Sequence, residues 1–175
     1  MSADSSVIIR PCFEQDLEQA ALIYGHHVLT GTGTFEFEAP SPDEMKERWS
    51  KVVGRGWPWI VACPMDDLTR VLGFAYAGQF RDRTAYSLTF EDSVYVAPNA
   101  QGQGIGKRLL NDLLVMLQAD DVREVIAMIG DNANAASIAL HASLGFTHAG
   151  ILRNAGYKFD RWLDVVIMQR SLRTS

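Results

Sequence analysis

The residues with the clearest chemistry run from Val94 to Arg108, Val-Tyr-Val-Ala-Pro-Asn-Ala-Gln-Gly-Gln-Gly-Ile-Gly-Lys-Arg. An apolar strand runs into a glycine-rich turn that opens a helix. The first backbone N–H groups of such a helix have no partner inside it and carry the positive end of its dipole. Glycines let a ligand approach the backbone closely, so this junction suits a phosphate or pyrophosphate. Lys107 and Arg108 add charge at the rim. Two common phosphate loops do not fit. A Walker loop needs Gly at 101 and Ser or Thr at 108, where the chain has Gln101 and Arg108. The dinucleotide fingerprint fails at Lys107 when started at Gly102, and at Leu109 when started at Gly104.

Three further groups carry chemistry. Glu91 stands three residues before Val94, beside Phe90. A strand glutamate is either a solvated edge carboxylate or, once desolvated, a base with raised pKa. Asn134, Ser137 and His141 recur at helical spacing and share one face. That polar stripe points to a polar partner, and His141 is either a proton donor at neutral pH or a histidine bonded at a helix surface. Arg81 and Arg83 alternate along an extended segment, so both point one way. They form either a solvated pair or a bidentate clamp for an acidic group. His26 and His27 are adjacent and do not share a helical face, so no metal site is expected.

The elements that must position these groups follow from periodicity. Val7 to Ile9 reads as a first strand. Leu17, Ala20, Ala21, Tyr24 and Val28 trace one side of a helix with Asp16 as its N-cap. A second helix starts at Ser41, with Pro42 in its first turn and Glu44 closing a capping box; Met45, Trp49, Val52 and Val53 form its apolar stripe. Strands are predicted over 59–62, 71–80 and 85–96. A helix carrying Leu110, Leu113, Leu114 and Leu117 follows, then a strand over 125–129 and a helix over 133–144 ended by Gly145. Two last strands, 149–159 and 162–170, are joined by a turn at Asp160-Arg161. The order β-α-α-β-β-β-α-β-α-β-β implies an α/β or α+β sandwich around a mixed sheet.

Composition narrows the class. The chain has 175 residues, enough for one domain over 1–175 with a sizeable core. It holds 21 Asp and Glu against 16 Lys and Arg, a net charge of −5, which argues against nucleic acid or anionic lipid as partner. Any anion must be held locally. No run is long and apolar enough to span a membrane. Met1 to Arg10 has Asp4 and no basic region before an apolar run, so no secretory signal is expected. Cys12 and Cys63 lie far apart, as free thiols do in a reducing cytoplasm.

The pattern Gln-x-x-Gly-x-Gly over Gln101 to Gly106 resembles the acyl-CoA pyrophosphate loop of the GNAT acetyltransferase superfamily. The chain is further similar to the branch that acetylates phosphinothricin, methionine sulfone and methionine sulfoximine. That likeness rests on Thr34-Phe35-Glu36, Gly73 to Tyr76, Arg81-x-Arg83-x-Ala85-Tyr86 and Thr89-x-Glu91-x-Ser93-Val94-Tyr95-Val96. It continues in Asn134-x-x-Ser137-x-x-Leu140-His141-x-x-Leu144-Gly145-Phe146, Gly156 to Phe159 and Trp162-Leu163-Asp164. Departures fall at Ala155, at Asp160 where glycine is usual, and at Ser87-Leu88.

The resemblance implies a GNAT fold, with a mostly antiparallel mixed sheet of about seven strands and about four helices. It implies acetyl-CoA as cosubstrate, a small amino-acid-like acceptor and a homodimer. Gln101, Gly102, Gln103, Gly104, Ile105, Gly106 and Lys107 would hold the CoA phosphates. Val94, Tyr95 and Val96 would line the pantetheine arm, and Asn134, Ser137 and His141 would also touch CoA. Glu91 matches the family's base, and a backbone N–H at Val96 is the natural oxyanion donor. His141 stands where many GNAT enzymes carry a tyrosine that protonates the departing thiolate. Phe35, Glu36, Tyr76, Lys158 and Trp162 would complete an acceptor pocket with Arg81 and Arg83. The competing readings are a GNAT enzyme acting on a peptide N-terminus, a lysine or another amine, and a non-catalytic acyl-CoA-binding module. Glu91 and the arginine pair speak against the module, and the arginines speak against a polyamine.

Overall fold

A computed structural model describes residues 6–173; residues 1–5, part of the segment read above as lacking a secretory signal, and 174–175 lie outside the described residues. The strands are β1 (Val7–Pro11), β2 (Trp59–Pro64), β3 (Gly73–Gln79), β4 (Thr89–Val96), β5 (Glu124–Gly130), β6 (Thr147–Lys158) and β7 (Arg161–Ser171). The helices are α1 (Leu17–Thr30), α2 (Pro42–Val53), α3 (Ile105–Ala119) and α4 (Ala135–Ser143). The seven strands form one mixed sheet in the order β1-β2-β3-β4-β5-β7-β6. Only the β4–β5 pair is parallel, because α3 makes the crossover between them.

Local chemistry explains most of the boundaries. Ser41 Oγ accepts from the Glu44 amide at 3.2 Å, and the Glu44 carboxylate accepts from the Ser41 amide at 2.7 Å, so α2 has the expected capping box. The expected apolar stripes of α1 and α3 are buried, with Ile105 and Leu109 added to the latter. On α2 only Met45 is fully buried.

Several expectations need correction. Asp16 holds the N-cap position of α1 as expected, but its side chain makes no capping bond to the helix. Its buried carboxylate instead accepts from the Phe13 amide at 2.8 Å and takes a two-pronged contact from Arg10 at 2.7 and 2.8 Å. The fourth strand starts at Thr89 rather than 85, since Thr84–Tyr86 forms a single 3-10 turn. The last hairpin turns at Phe159-Asp160, one residue earlier than expected, and Lys158 pairs with Arg161. Both turn residues have positive φ, 51° and 56°, as a two-residue hairpin of the right twist requires.

Side chains alternate across β4 and assign the two layers. Tyr95 meets Tyr24 of α1, whereas Val96 lies against Gly106 of α3 and Asp92 meets His141 of α4. Thus α1 covers one face of the sheet, and α3 and α4 the other. The core runs through both layers, with Phe74 and Val61 among its fully buried members. Among the described residues, no helix is long and apolar enough to cross a membrane.

Candidate active site

The site begins where the sheet stops pairing. β4 is hydrogen-bonded to β5 only over Thr89–Glu91, opposite Glu124–Ile126, and beyond that point the strands part. The Ala97 amide donates to Leu72 on the β3 side. Backbone groups alternate along a strand, so the amides of Val94 and Val96 face the opening between β4 and β5. That fork is the mouth of a cavity of about 780 Å³.

The glycine turn closes one end of this cavity. Gly102 and Gly104 have φ of 74° and 78°, the left-handed region that favours glycine. Gly104 is the N-cap of α3, and the first amide to bond back to it is that of Arg108. The amides of Ile105, Gly106 and Lys107 are therefore left pointing out of the helix start. Gln101, Gly102, Gly104, Ile105, Gly106 and Lys107 line the cavity with Val94, Tyr95 and Val96. Gln103 does not; its side-chain amide donates to the Asn99 carbonyl at 3.2 Å, outside the cavity.

Glu91 lines the same cavity at the fork. Burial pushes its pKa up, Arg81 pulls it down and neighbouring Asp92 pushes it up, with a net rise. Its carboxylate has no hydrogen-bond partner among the described residues, so its lone pairs are open to a proton. Asn134, Ser137 and His141 also border the cavity. Asn134 has a second role, because its side-chain oxygen accepts from the Ser137 amide at 3.2 Å and caps α4. His141 is buried, and both its ring nitrogens have protein partners, Asp92 and the Ser137 carbonyl.

None of the seven expected acceptor residues lines this cavity. Lys158 is the clearest correction. Its side chain is buried, and its ammonium donates to the carbonyls of Val28, Gly31 and Thr34 at 2.7, 2.9 and 2.8 Å. All three protons of the ammonium are directed at main-chain carbonyls. Glu36 is likewise committed, to both guanidinium nitrogens of Arg48 at 2.9 Å and to the Tyr24 hydroxyl at 2.6 Å. Phe35 packs on Gly130 and Gly156, either of which would clash with it if it carried a Cβ. Tyr76 stacks on Trp59 with ring centroids 4.2 Å apart. Arg81 folds over the Phe80 ring at 4.1 Å, near enough to Glu91 to act on its charge. Arg83 and Trp162 are exposed, the latter by 63%.

Three groups at the site carried no signal in the sequence. His27 reaches from α1 to the Val96 carbonyl at 2.9 Å. A carbonyl only accepts, so Nε2 carries the proton, and burial lowers the ring's pKa. Asp92 pairs with His141, and Thr32 to Thr34 form part of the cavity wall. The contacts His27 and Asp92 make join distant parts of the chain, which no spacing rule reports.

Residues 26–146 match the acetyltransferase (GNAT) family. The chain is 46% identical to a phosphinothricin N-acetyltransferase of Alcaligenes faecalis over 164 residues, covering 94% of this chain and 82% of the relative. It is 36% identical to an L-methionine sulfoximine/L-methionine sulfone acetyltransferase of Pseudomonas paraeruginosa, covering 95% of each. A crystal structure of a GNAT superfamily phosphinothricin acetyltransferase from Sinorhizobium meliloti in complex with acetyl-CoA superposes with a TM-score of 0.89. That pair is 42% identical and covers 95% of this chain and 88% of the other. A forked sheet, a glycine-rich helix start at its mouth and a match over most of the length agree, and this chain belongs to the GNAT acetyltransferase family.

Proposed function

We propose that the chain is one N-acetyltransferase domain that moves acetyl from acetyl-CoA to the α-amine of a small amino acid or analogue. Phosphinothricin, methionine sulfone and methionine sulfoximine define the acceptor class. The observation that carries this reading is the half-buried, unbonded carboxylate of Glu91 in one cavity with the open amides of β4 and α3. The cavity's chemistry fits acetyl-CoA. Unpaired amides at the α3 start and Lys107 suit the phosphates, and the open edge of β4 offers main-chain groups to the two amides of the pantetheine arm. When bound, acetyl-CoA supplies the activated acyl group.

Glu91 takes a proton from the acceptor ammonium, directly or through one water, and frees the amine for attack. The Val96 amide donates to the oxyanion that develops on the carbonyl. His27, holding the Val96 carbonyl, keeps this end of β4 in place. His141 supplies the proton for the departing sulfur. Attack is direct, because both cysteines are buried thiols; Cys12, with burial the main cause, is pushed up to about 12. Arg81, beside Glu91, and exposed Arg83 would draw in the acceptor's acidic group.

The same reading includes a cytoplasmic homodimer. Free buried thiols support the compartment. The edge strand β6 and its hairpin support the dimer, since they expose Ile151, Leu152, Tyr157, Phe159 and Trp162. Light scattering of the purified chain decides that point. The activity is tested by acetyl-CoA turnover against phosphinothricin, methionine sulfone, methionine sulfoximine, common amino acids, peptides and amines. Acetylation of the first three is expected. Preference for peptides or lysine would move the acceptor class, and no turnover alongside tight acetyl-CoA binding would leave only a binding module.

A further inference from the structure

His141 faces two atoms that accept hydrogen bonds. Nδ1 lies 2.7 Å from the Ser137 carbonyl oxygen, and Nε2 lies 3.0 Å from Oδ2 of Asp92. The carbonyl has no proton to give, so Nδ1 carries one, and the contact between Nε2 and the carboxylate needs another. The pair thus holds one proton more than a neutral histidine beside an ionised aspartate. Its surroundings keep that proton in place. The two side chains are 6% and 2% exposed, and the second oxygen of Asp92, Oδ1, is buried with no hydrogen-bond partner among the described residues. With His141 as its only side-chain donor, the carboxylate would be left as an uncompensated buried charge if the proton departed. The ring of Phe146, edge-on with centroids 5.0 Å apart, holds the imidazole plane.

We propose that Asp92 is a positioning residue for acetyl transfer, and that Asp92 and His141 together store the proton received by the departing CoA sulfur. The proposal rests on the acetyl-transfer reading above. As the carbon–sulfur bond breaks, the sulfur keeps the electron pair and takes the shared proton, leaving neutral His141 beside ionised Asp92. Glu91, on the opposite face of β4, has taken one proton from the amine. The nitrogen loses its second proton to solvent as the adduct collapses to the amide; solvent then returns a proton to the pair and takes one from Glu91, so each turnover of an ammonium acceptor releases one proton net.

The aspartate is what suits a histidine to this task. A free imidazole titrates near 6.5 and is mostly neutral at working pH, whereas a thiol titrates near 8.5. Burial by itself would lower His141, but the Asp92 hydrogen bond, its charge and the Ser137 carbonyl raise it overall, towards the thiol it must protonate. Other charged or titratable groups on the surrounding elements are His27 on α1, Lys107 on α3, Glu91 on β4, Asp131 after β5 and Arg170 on β7, which is held on the Leu144 carbonyl. Asp92 is the charge whose hydrogen bond and field raise His141.

The test joins spectroscopy to kinetics on the full chain. In the wild type with histidine labelled with nitrogen-15, NMR should show both ring nitrogens of His141 still protonated at a pH above the ordinary imidazole midpoint of about 6.5. The alkaline loss of kcat should share the midpoint of that titration. Asp92→Asn keeps a polar partner but removes the charge. It should move both midpoints down together, with acetyl-CoA affinity and melting temperature as controls for folding; Asp92→Glu should restore them. An unprotonated ring nitrogen in the wild type at that pH overturns the proposal, as does an alkaline limb that ignores the titration. Should Asp92→Asn fail to fold, the wild-type coincidence of spectrum and rate still decides. Absence of acetyl transfer to every amine would instead refute the acetyl-transfer reading, and the proton inventory of His141 would still be read directly.

Discussion

Replacing Lys158 by Met separates a structural cation from a substrate ligand. The ammonium is 2% exposed and donates to three main-chain carbonyls, at 2.7, 2.9 and 2.8 Å. Two of the acceptors, Gly31 and Thr34, sit in the segment between α1 and α2 that walls the cavity, whereas Lys158 ends β6. Methionine fills similar space and donates nothing. Removing the charge relieves an ammonium desolvation cost of several kcal/mol, which offsets much of the roughly 1.5–3 kcal/mol of each charged hydrogen bond. What remains is three carbonyls without a donor, at about 1 kcal/mol or more each. The expected loss is therefore about 3 kcal/mol, the lower end of the range for removing one partner of a buried ionic contact. For a chain of this length each kcal/mol shifts the melting temperature by about 2–4 °C, so Lys158→Met should melt roughly 6–12 °C lower. Calorimetry measures this, and titration with acetyl-CoA should show weaker binding as the 31–34 wall loosens. A melting temperature within about 2 °C of wild type, with only acceptor binding impaired, would mean that the ammonium serves the substrate, contrary to the geometry.

Four further outcomes are expected. Glu91→Gln should lower kcat by roughly 10²–10⁴-fold while folding is unchanged. The wild-type rate should fall as pH drops through a midpoint above the ordinary carboxylate range, because a base works ionised and burial raises this one; an acid limb at or below about 4.3 would refute the role. Gly104→Val puts a branched side chain at φ 78°, a conformation costing about 1–2 kcal/mol, and should weaken acetyl-CoA binding by calorimetric titration. Unchanged affinity would show that the α3 start does not hold the phosphates. Gly156→Ala would drive a methyl into the Phe35 ring and should cost about 1–3 kcal/mol in urea unfolding, whereas wild-type stability would mean that Phe35 moves aside freely.

How much was legible in advance depended on the range of the interaction. The Ser41–Glu44 capping box, the α1 and α3 stripes and the glycine start of α3 are local, set within a turn or two of chain, and the structure has them where spacing puts them. Side-chain partners differed where a local rule had a stronger competitor. Asp16 fits an N-cap by type, yet Arg10 and the Phe13 amide claim its carboxylate first.

By itself the sequence determined the order of elements, the glycine-rich strand-to-helix junction at residues 101–107 and, through resemblance, the family. Only the tertiary structure decided which polar side chains are open to a ligand. Lys158 and Glu36 look like pocket residues in sequence, but carbonyls 124 to 130 positions away and Arg48 on α2 occupy them. Asp92 carries no signal in the sequence, but α4 folds over it and makes it the partner of His141, 49 residues along the chain. A buried charge takes the nearest complementary group. Which group is nearest is settled by how the layers stack, and spacing along the chain carries no record of that.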